Sequence, residues 1–195
     1  MQVLTVIFGL LLSYVAGSIP TGLWLGLRFR HMDIREHGSK NIGATNTMRV
    51  LGKKLGAIAL ACDMAKGLVP VLAMRHLSPS SYAPLLCGLA AIAGHTASVF
   101  LKFRGGKGVA TSAGVFLGLC PLPTLMAAGV FAVVVTATRM VSAGSVSAAM
   151  AFAALVCVLP HPAWLRAVAW CIAGLILFRH RTNIQRMLKG TENKI

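Results

Sequence analysis

Acidic residues are nearly missing from this chain. Four are present, Asp33, Glu36, Asp63 and Glu192, against 19 Lys and Arg in 195 residues, and the formal net charge is +15. Charged residues of both signs make up only 12% of the sequence, where a soluble domain carries roughly 25%. The charges that remain are concentrated in three short stretches between long apolar runs, and 56% of the residues are hydrophobic. That distribution argues against a soluble globular domain and for a polytopic membrane protein. No recognised nucleic-acid module accompanies the positive charge, so no nucleic-acid partner is expected. Cationic loops facing the cytoplasm account for it more simply.

Further absences narrow the field. The five cysteines, Cys62, Cys87, Cys120, Cys157 and Cys171, are scattered through apolar segments with no C-x-x-C pair. Neither a disulfide framework nor a zinc site is indicated, and no metal or cofactor is expected. No Lys or Arg precedes Arg28, so the positive n-region of a signal peptide is absent and the uncharged run from Val3 to Leu27 reads as a first membrane span. No internal repeat is evident, which disfavours a repeat-built transporter. A single polytopic domain over 1–195 is expected.

The apolar runs place spans at roughly 3–26, 55–74, 82–101, 107–121, 122–139, 142–160 and 162–179. The stretch 108–138 is uncharged but interrupted by Pro121-Leu122-Pro123. As one helix it would extend about 46 Å, against a hydrocarbon core of roughly 30 Å. Loop charge decides the count. With seven spans and the N-terminus outside, the inner segments 28–54, 102–107, 139–141 and 179–195 hold seven, three, one and five basic residues, against two outside. With 108–138 as one span, the basic tail moves outside and the split falls to eleven against seven. The positive-inside rule favours an all-α protein of seven spans with a cytoplasmic C-terminus.

In that arrangement the three most polar stretches share the cytoplasmic side. The first, Gly38-Ser39-Lys40-Asn41-Ile42-Gly43-Ala44-Thr45-Asn46-Thr47-Met48-Arg49, mixes glycines with short hydroxyl and amide side chains and ends on an arginine able to clamp a phosphate bidentately. A polar loop with turn residues and a helix cap has the same composition. The second, Lys102-Phe103-Arg104-Gly105-Gly106-Lys107-Gly108-Val109-Ala110-Thr111, places glycines around a lysine at a predicted helix start. Free N–H groups and the helix dipole favour an anion there. It is not a Walker A motif, because Gly108 follows Lys107. The third, His180-Arg181-Thr182-Asn183-Ile184-Gln185-Arg186 followed by Lys189-Gly190-Thr191-Glu192, has the composition of a tail that meets anionic headgroups.

Two features lie inside spans. Asp63 and Lys66 stand three apart on one helix face, the spacing of an ion pair that supports a site. His95 lies near the end of the third span, close to the Gly-Lys loop, where it either orients that loop, touches substrate or packs.

These motifs together resemble the bacterial acyl-phosphate:glycerol-3-phosphate acyltransferases, the PlsY family. The resemblance rests on Gly17-Ser18-Ile19-Pro20-Thr21-Gly22, Gly38-Ser39-x-Asn41-x-Gly43-Ala44-Thr45-Asn46-x-x-Arg49, Asp63-x-x-Lys66-Gly67, Gly94-His95, Phe103 through Thr111, and His180-Arg181-x-Asn183-Ile184-x-Arg186. It covers nearly the whole chain, in order and spacing. It implies seven spans in a bacterial inner membrane, three motif-bearing cytoplasmic segments forming one active site, and acyl transfer from acyl-phosphate to the 1-hydroxyl of glycerol-3-phosphate. The implied products are lysophosphatidic acid and phosphate. An enzyme that makes acyl-phosphate is the implied pathway partner, membrane lipid the surroundings and a monomer the expected state. The His-x-x-x-x-Asp dyad of other glycerol-3-phosphate acyltransferases is absent: Glu36, Ile42 and Phe100 stand five after His31, His37 and His95.

Holding two phosphate-bearing substrates side by side calls for cations and amide donors. On this reading the backbone around Gly105, Gly106 and Gly108 takes the acyl-phosphate group. Ser39, Arg49, Lys107, His180 and Asn183 take the phosphate of glycerol-3-phosphate. Asn41, Thr45, Asn46 and His95 line the pocket, and Asp63 and Lys66 support it. An organophosphate or anion transporter is the competing reading, and a scaffold protein a third.

Overall fold

A computed structural model describes residues 2–195. Its regular structure is helical throughout those residues, and the chain divides into two compact units, one ending at Leu119 and the other running from Cys120 to Ile195.

The first unit holds α1 (Gln2–Ser18), α2 (Thr21–Arg30), α3 (Ala44–Leu51), α4 (Lys53–Leu77), α5 (Ala83–Thr96), a 3-10 turn at Val99–Leu101, and α6 (Val109–Leu119). The run read as one span over 3–26 is broken at Ile19-Pro20, and α1 and α2 meet at 45°. Proline supplies no N–H to the preceding turn, and its ring crowds the carbonyl four residues back. The chain therefore turns through Ile19 N–H to Ala16 O at 3.2 Å and Thr21 N–H to Ile19 O at 3.0 Å.

Small residues hold these helices together. Gly17 meets Ala91 and Gly94 meets Tyr14 where α1 crosses α5, and Gly67 meets Thr111 and Gly114 meets Met64 where α4 crosses α6. A Cβ at any of the four would fall on main-chain atoms of the neighbouring helix. In lipid the hydrophobic effect does not drive helices together, so close backbone approach and dispersion must do so.

The second unit holds α7 (Pro121–Thr138), α8 (Val141–Val158), α9 (Ala163–Arg179) and α10 (Arg181–Leu188). Pro121-Leu122-Pro123, the interruption in the apolar run, opens α7. The first helical turn has no partner for its N–H groups, so proline is tolerated there. Gly144 admits Phe131 and Val135 between α7 and α8, and α10 departs from α9 at 61°.

Among the described residues four helices are long and apolar enough to cross a membrane, or up to six if each bent pair is one span. Helix α6 is apolar but has 11 residues, a rise of about 16 Å against roughly 30 Å of hydrocarbon. It is short because Gly105–Gly108 precede it as a loop.

Candidate active site

The first polar stretch is organised by one amide. Asn46 sits on the first turn of α3 and is 1% exposed. Its Oδ1 accepts the Ser39 N–H at 2.8 Å, and its Nδ2 donates to Ile34 O at 2.9 Å, Asn41 O at 2.8 Å and His37 O at 3.2 Å. Asn41 Oδ1 in turn accepts the Gly43 N–H at 2.9 Å. Gly38 has φ +60, and a side chain there would meet Asn46 Oδ1. Asn46 therefore acts on the loop, and its committed donors and acceptor leave the contacts with a ligand to others.

Those others are not engaged by the protein. The Ser39 and Thr45 hydroxyls and the exposed Arg49 guanidinium have no hydrogen-bond or ion-pair partner among the described residues. Nearby Asp33 is already held by Arg35 at 2.6 Å. An arginine with no carboxylate beside it keeps its whole fork for an anion.

The glycine-rich stretch is built differently from its sequence reading. The Gly105 and Gly106 N–H groups donate to Thr96 O at 3.1 Å and His95 O at 3.0 Å, so they tie the loop back to the last turn of α5. These positions lack side chains because the loop lies directly against α5: a Cβ at Gly105 would fall on His95 O, and one at Gly106 on His95 Nε2. Gly108 has φ +82, a left-handed conformation that suits glycine. From there α6 begins, its first helical bond running from Ser112 N–H to Gly108 O at 2.8 Å. The N–H groups of a first helical turn have no carbonyl one turn back, so the donors left at this helix start are those of Val109 and Ala110 rather than of the two glycines. Thr111 and Ser112 are 0% and 4% exposed, and both hydroxyls lack a partner among the described residues. Sequence reasoning assigned them nothing, although hydroxyls just inside a predicted anion-binding helix start were a visible signal.

Beneath the loop, Lys66 Nζ lies 2.7 Å from Asp63 Oδ1 and donates to Ile19 O at 2.8 Å. The pair expected from spacing is formed, and it anchors α4 to the α1–α2 break. His95 Nδ1 lies 3.9 Å from the same carboxylate oxygen.

In the second unit, His180 is buried where α9 ends. Its Nδ1 lies 2.8 Å from Ile176 O. A carbonyl only accepts, so Nδ1 is the donor in this bond. Asn183, one turn on, donates from Nδ2 to Glu192 Oε1 at 2.6 Å. Ser142 Oγ donates to the same oxygen at 2.8 Å, and Arg186 Nε to Oε2 at 2.8 Å. The sequence gives no sign of this three-donor knot.

A family model described as glycerol-3-phosphate acyltransferase matches residues 7–190. The chain belongs to the glycerol-3-phosphate acyltransferase family. Relatives with that name include one from Fusobacterium nucleatum, 43% identical over 95% of each chain, and one from Geotalea daltonii, 46% identical over 93% of each. A glycerol-3-phosphate acyltransferase 1 from Deinococcus radiodurans is 45% identical over 98% of this chain and 96% of its own. Among solved structures, PlsY, an integral membrane glycerol 3-phosphate acyltransferase in its glycerol 3-phosphate form, superposes with a TM-score of 0.92 at 35% identity, covering 98% of this chain and 96% of that one. Its lysophosphatidic acid form superposes with a TM-score of 0.89. The chain is an integral membrane protein of the same kind.

For an acyltransferase of this family the Glu192 knot has a consequence for pH. Burial pushes the carboxyl up, but hydrogen bonds from Arg186, Asn183 and Ser142 outweigh it and hold it below its ordinary value. A depressed carboxylate stabilises the fold above its unfolded pKa, and that contribution fades as pH falls through the folded value. Hydrogen-exchange protection of backbone 186–192, corrected for intrinsic rates, is therefore expected to hold from neutral pH down to about pH 5 and to fall in more acidic solution. In Glu192→Gln the protection should be low at every pH; a wild-type profile flat to about pH 3 would refute the assignment.

Proposed function

We propose that this chain transfers a fatty acyl group from acyl-phosphate to the 1-hydroxyl of glycerol-3-phosphate, releasing lysophosphatidic acid and inorganic phosphate. The reaction takes place at the cytoplasmic face of a bacterial inner membrane, in a single domain of seven spans with the N-terminus outside. The observation that carries this reading is a cluster of anion-binding groups with no protein partner among the described residues: the Arg49 guanidinium and the Ser39 and Thr45 hydroxyls. A second phosphate suits the start of α6, where the Val109 and Ala110 N–H groups and the Thr111 and Ser112 hydroxyls seek acceptors and Lys107 supplies charge. Ser39, Arg49, Lys107, His180 and Asn183 serve glycerol-3-phosphate. The solved relative in its glycerol 3-phosphate form supports that substrate.

The donor is already activated, so no covalent enzyme intermediate is required. The glycerol oxygen forms the new ester bond to the acyl carbon, the bond from that carbon to the phosphate oxygen breaks, and the hydroxyl proton needs an acceptor. Three of the four carboxylates are engaged, since Asp63 is paired with Lys66, Asp33 with Arg35, and both Glu192 oxygens are taken. On this reading a substrate phosphate accepts the proton. If a single side chain is the base instead, one substitution abolishes turnover while both substrates still bind. If the phosphate is, losses of rate track losses of binding.

The deciding experiment supplies purified protein with glycerol-3-phosphate and either palmitoyl-phosphate or palmitoyl-coenzyme A, beside Lys107→Ala. Phosphate and lysophosphatidic acid formed only from palmitoyl-phosphate, and lost in the variant, are expected. Product from neither donor, with uptake of glycerol-3-phosphate into sealed vesicles, would replace the enzyme by a transporter.

A further inference from the structure

His95 is 5% exposed and lies at the last turn of α5, between two structures that meet its ring from opposite edges. On the Nδ1 side is the Asp63–Lys66 pair, with Asp63 Oδ1 at 3.9 Å. That pair is itself fixed, because Lys66 is held by Ile19 O at the α1–α2 break. On the Nε2 side is the α-carbon of Gly106, so close that the missing Cβ would coincide with the ring. The main chain reinforces the contact, since His95 O accepts the Gly106 N–H. The imidazole is thus a spacer clamped between a buried ion pair and the anion loop. Its thickness determines how far the loop stands from α5, and so where Lys107 and the first turn of α6 come to lie.

We infer that His95 is a positioning residue, acting on substrate only through the Gly105–Gly108 loop, with Asp63 and Lys66 as the backing that keeps its ring from retreating. Of the three roles that the sequence left open for His95, this selects the orienting of the loop over contact with substrate. It rests on the acyltransferase reading above.

Two neighbouring glycines provide the test, because they approach different parts of His95. The three atoms nearest a methyl at Gly106 all belong to the His95 ring, whereas those nearest one at Gly105 are His95 O and the Thr96 main chain. Removing the ring therefore makes room for the first methyl and not for the second. We expect Gly106→Ala to lower kcat/KM for palmitoyl-phosphate in the wild-type background and to have little further effect in His95→Ala, a coupling of about tenfold or more. Gly105→Ala should multiply with His95→Ala to within about twofold. His95→Phe, which keeps a ring without nitrogens, should retain far more activity than His95→Ala and show a near-normal KM.

Losses that multiply for both glycines, or a His95→Phe variant as impaired as His95→Ala, would overturn the proposal. The second comparison stands even if Gly106→Ala does not fold. A wild-type protein that forms no product would instead defeat the acyltransferase reading, which the same assay detects before any variant is made.

Discussion

Arg49→Ala is expected to lower kcat/KM for glycerol-3-phosphate by about 10²–10³-fold, the scale of removing one strong donor from a preorganised anion site. The exposed guanidinium has no acidic or carbonyl partner among the described residues. Its removal therefore breaks nothing in the folded protein, and thermal stability should be unchanged. The substrate loses a bidentate donor and a full charge, in a chain whose basic residues outnumber its acids 19 to four. Arg49→Lys separates the two contributions. It restores charge without the planar fork, so it should recover only part of the loss. Steady-state kinetics over both substrates, with a melting curve for each variant, read the result. Unchanged kcat/KM in Arg49→Ala would remove Arg49 from the site, and a large drop in stability would assign it a structural role.

The second large effect is on stability. Lys66→Met leaves Asp63, 2% exposed, without its cation and removes one of the two donors to Ile19 O. Breaking a buried pair from one side costs about 3–5 kcal/mol, because the remaining charge is left uncompensated. Replacing both partners should cost much less than the two single changes together, since no charge is then stranded. Unfolding in mixed micelles, followed for Lys66→Met, Asp63→Asn and the double variant, measures the three values. Single variants within about 1 kcal/mol of wild type would mean that water reaches the pair and that it is not a buried anchor. The pair also backs His95, so Lys66→Met should impair catalysis in whatever fraction stays folded.

Much of this molecule is readable along the chain. Asp63 and Lys66 are three residues apart, and a helix brings that spacing onto one face whatever surrounds it. The polar stretches stand out because charge is costly in lipid and so collects where the chain leaves it. Asn46 was singled out among substrate contacts, yet it organises its own loop: its partners Ile34, His37, Ser39 and Asn41 lie within twelve residues, but only the path of the loop shows that they converge. The break at Pro20 was legible as a proline and was hidden by the uninterrupted apolar run on both sides of it.

Composition and local periodicity thus determined by themselves that this is a helical membrane protein with three polar segments between its apolar runs, because hydropathy and helical spacing are properties of neighbours in sequence. The tertiary structure decided what each polar group does. Gly105 and Gly106 were recognisable as necessary glycines, but whether an N–H meets a ligand or a carbonyl depends on the return of the loop onto α5. The Glu192 knot joins Ser142 across 50 residues, a separation over which no sequence period operates. A hydrogen bond needs its partners within about 3 Å, and only the packed helices decide which distant residues come that close.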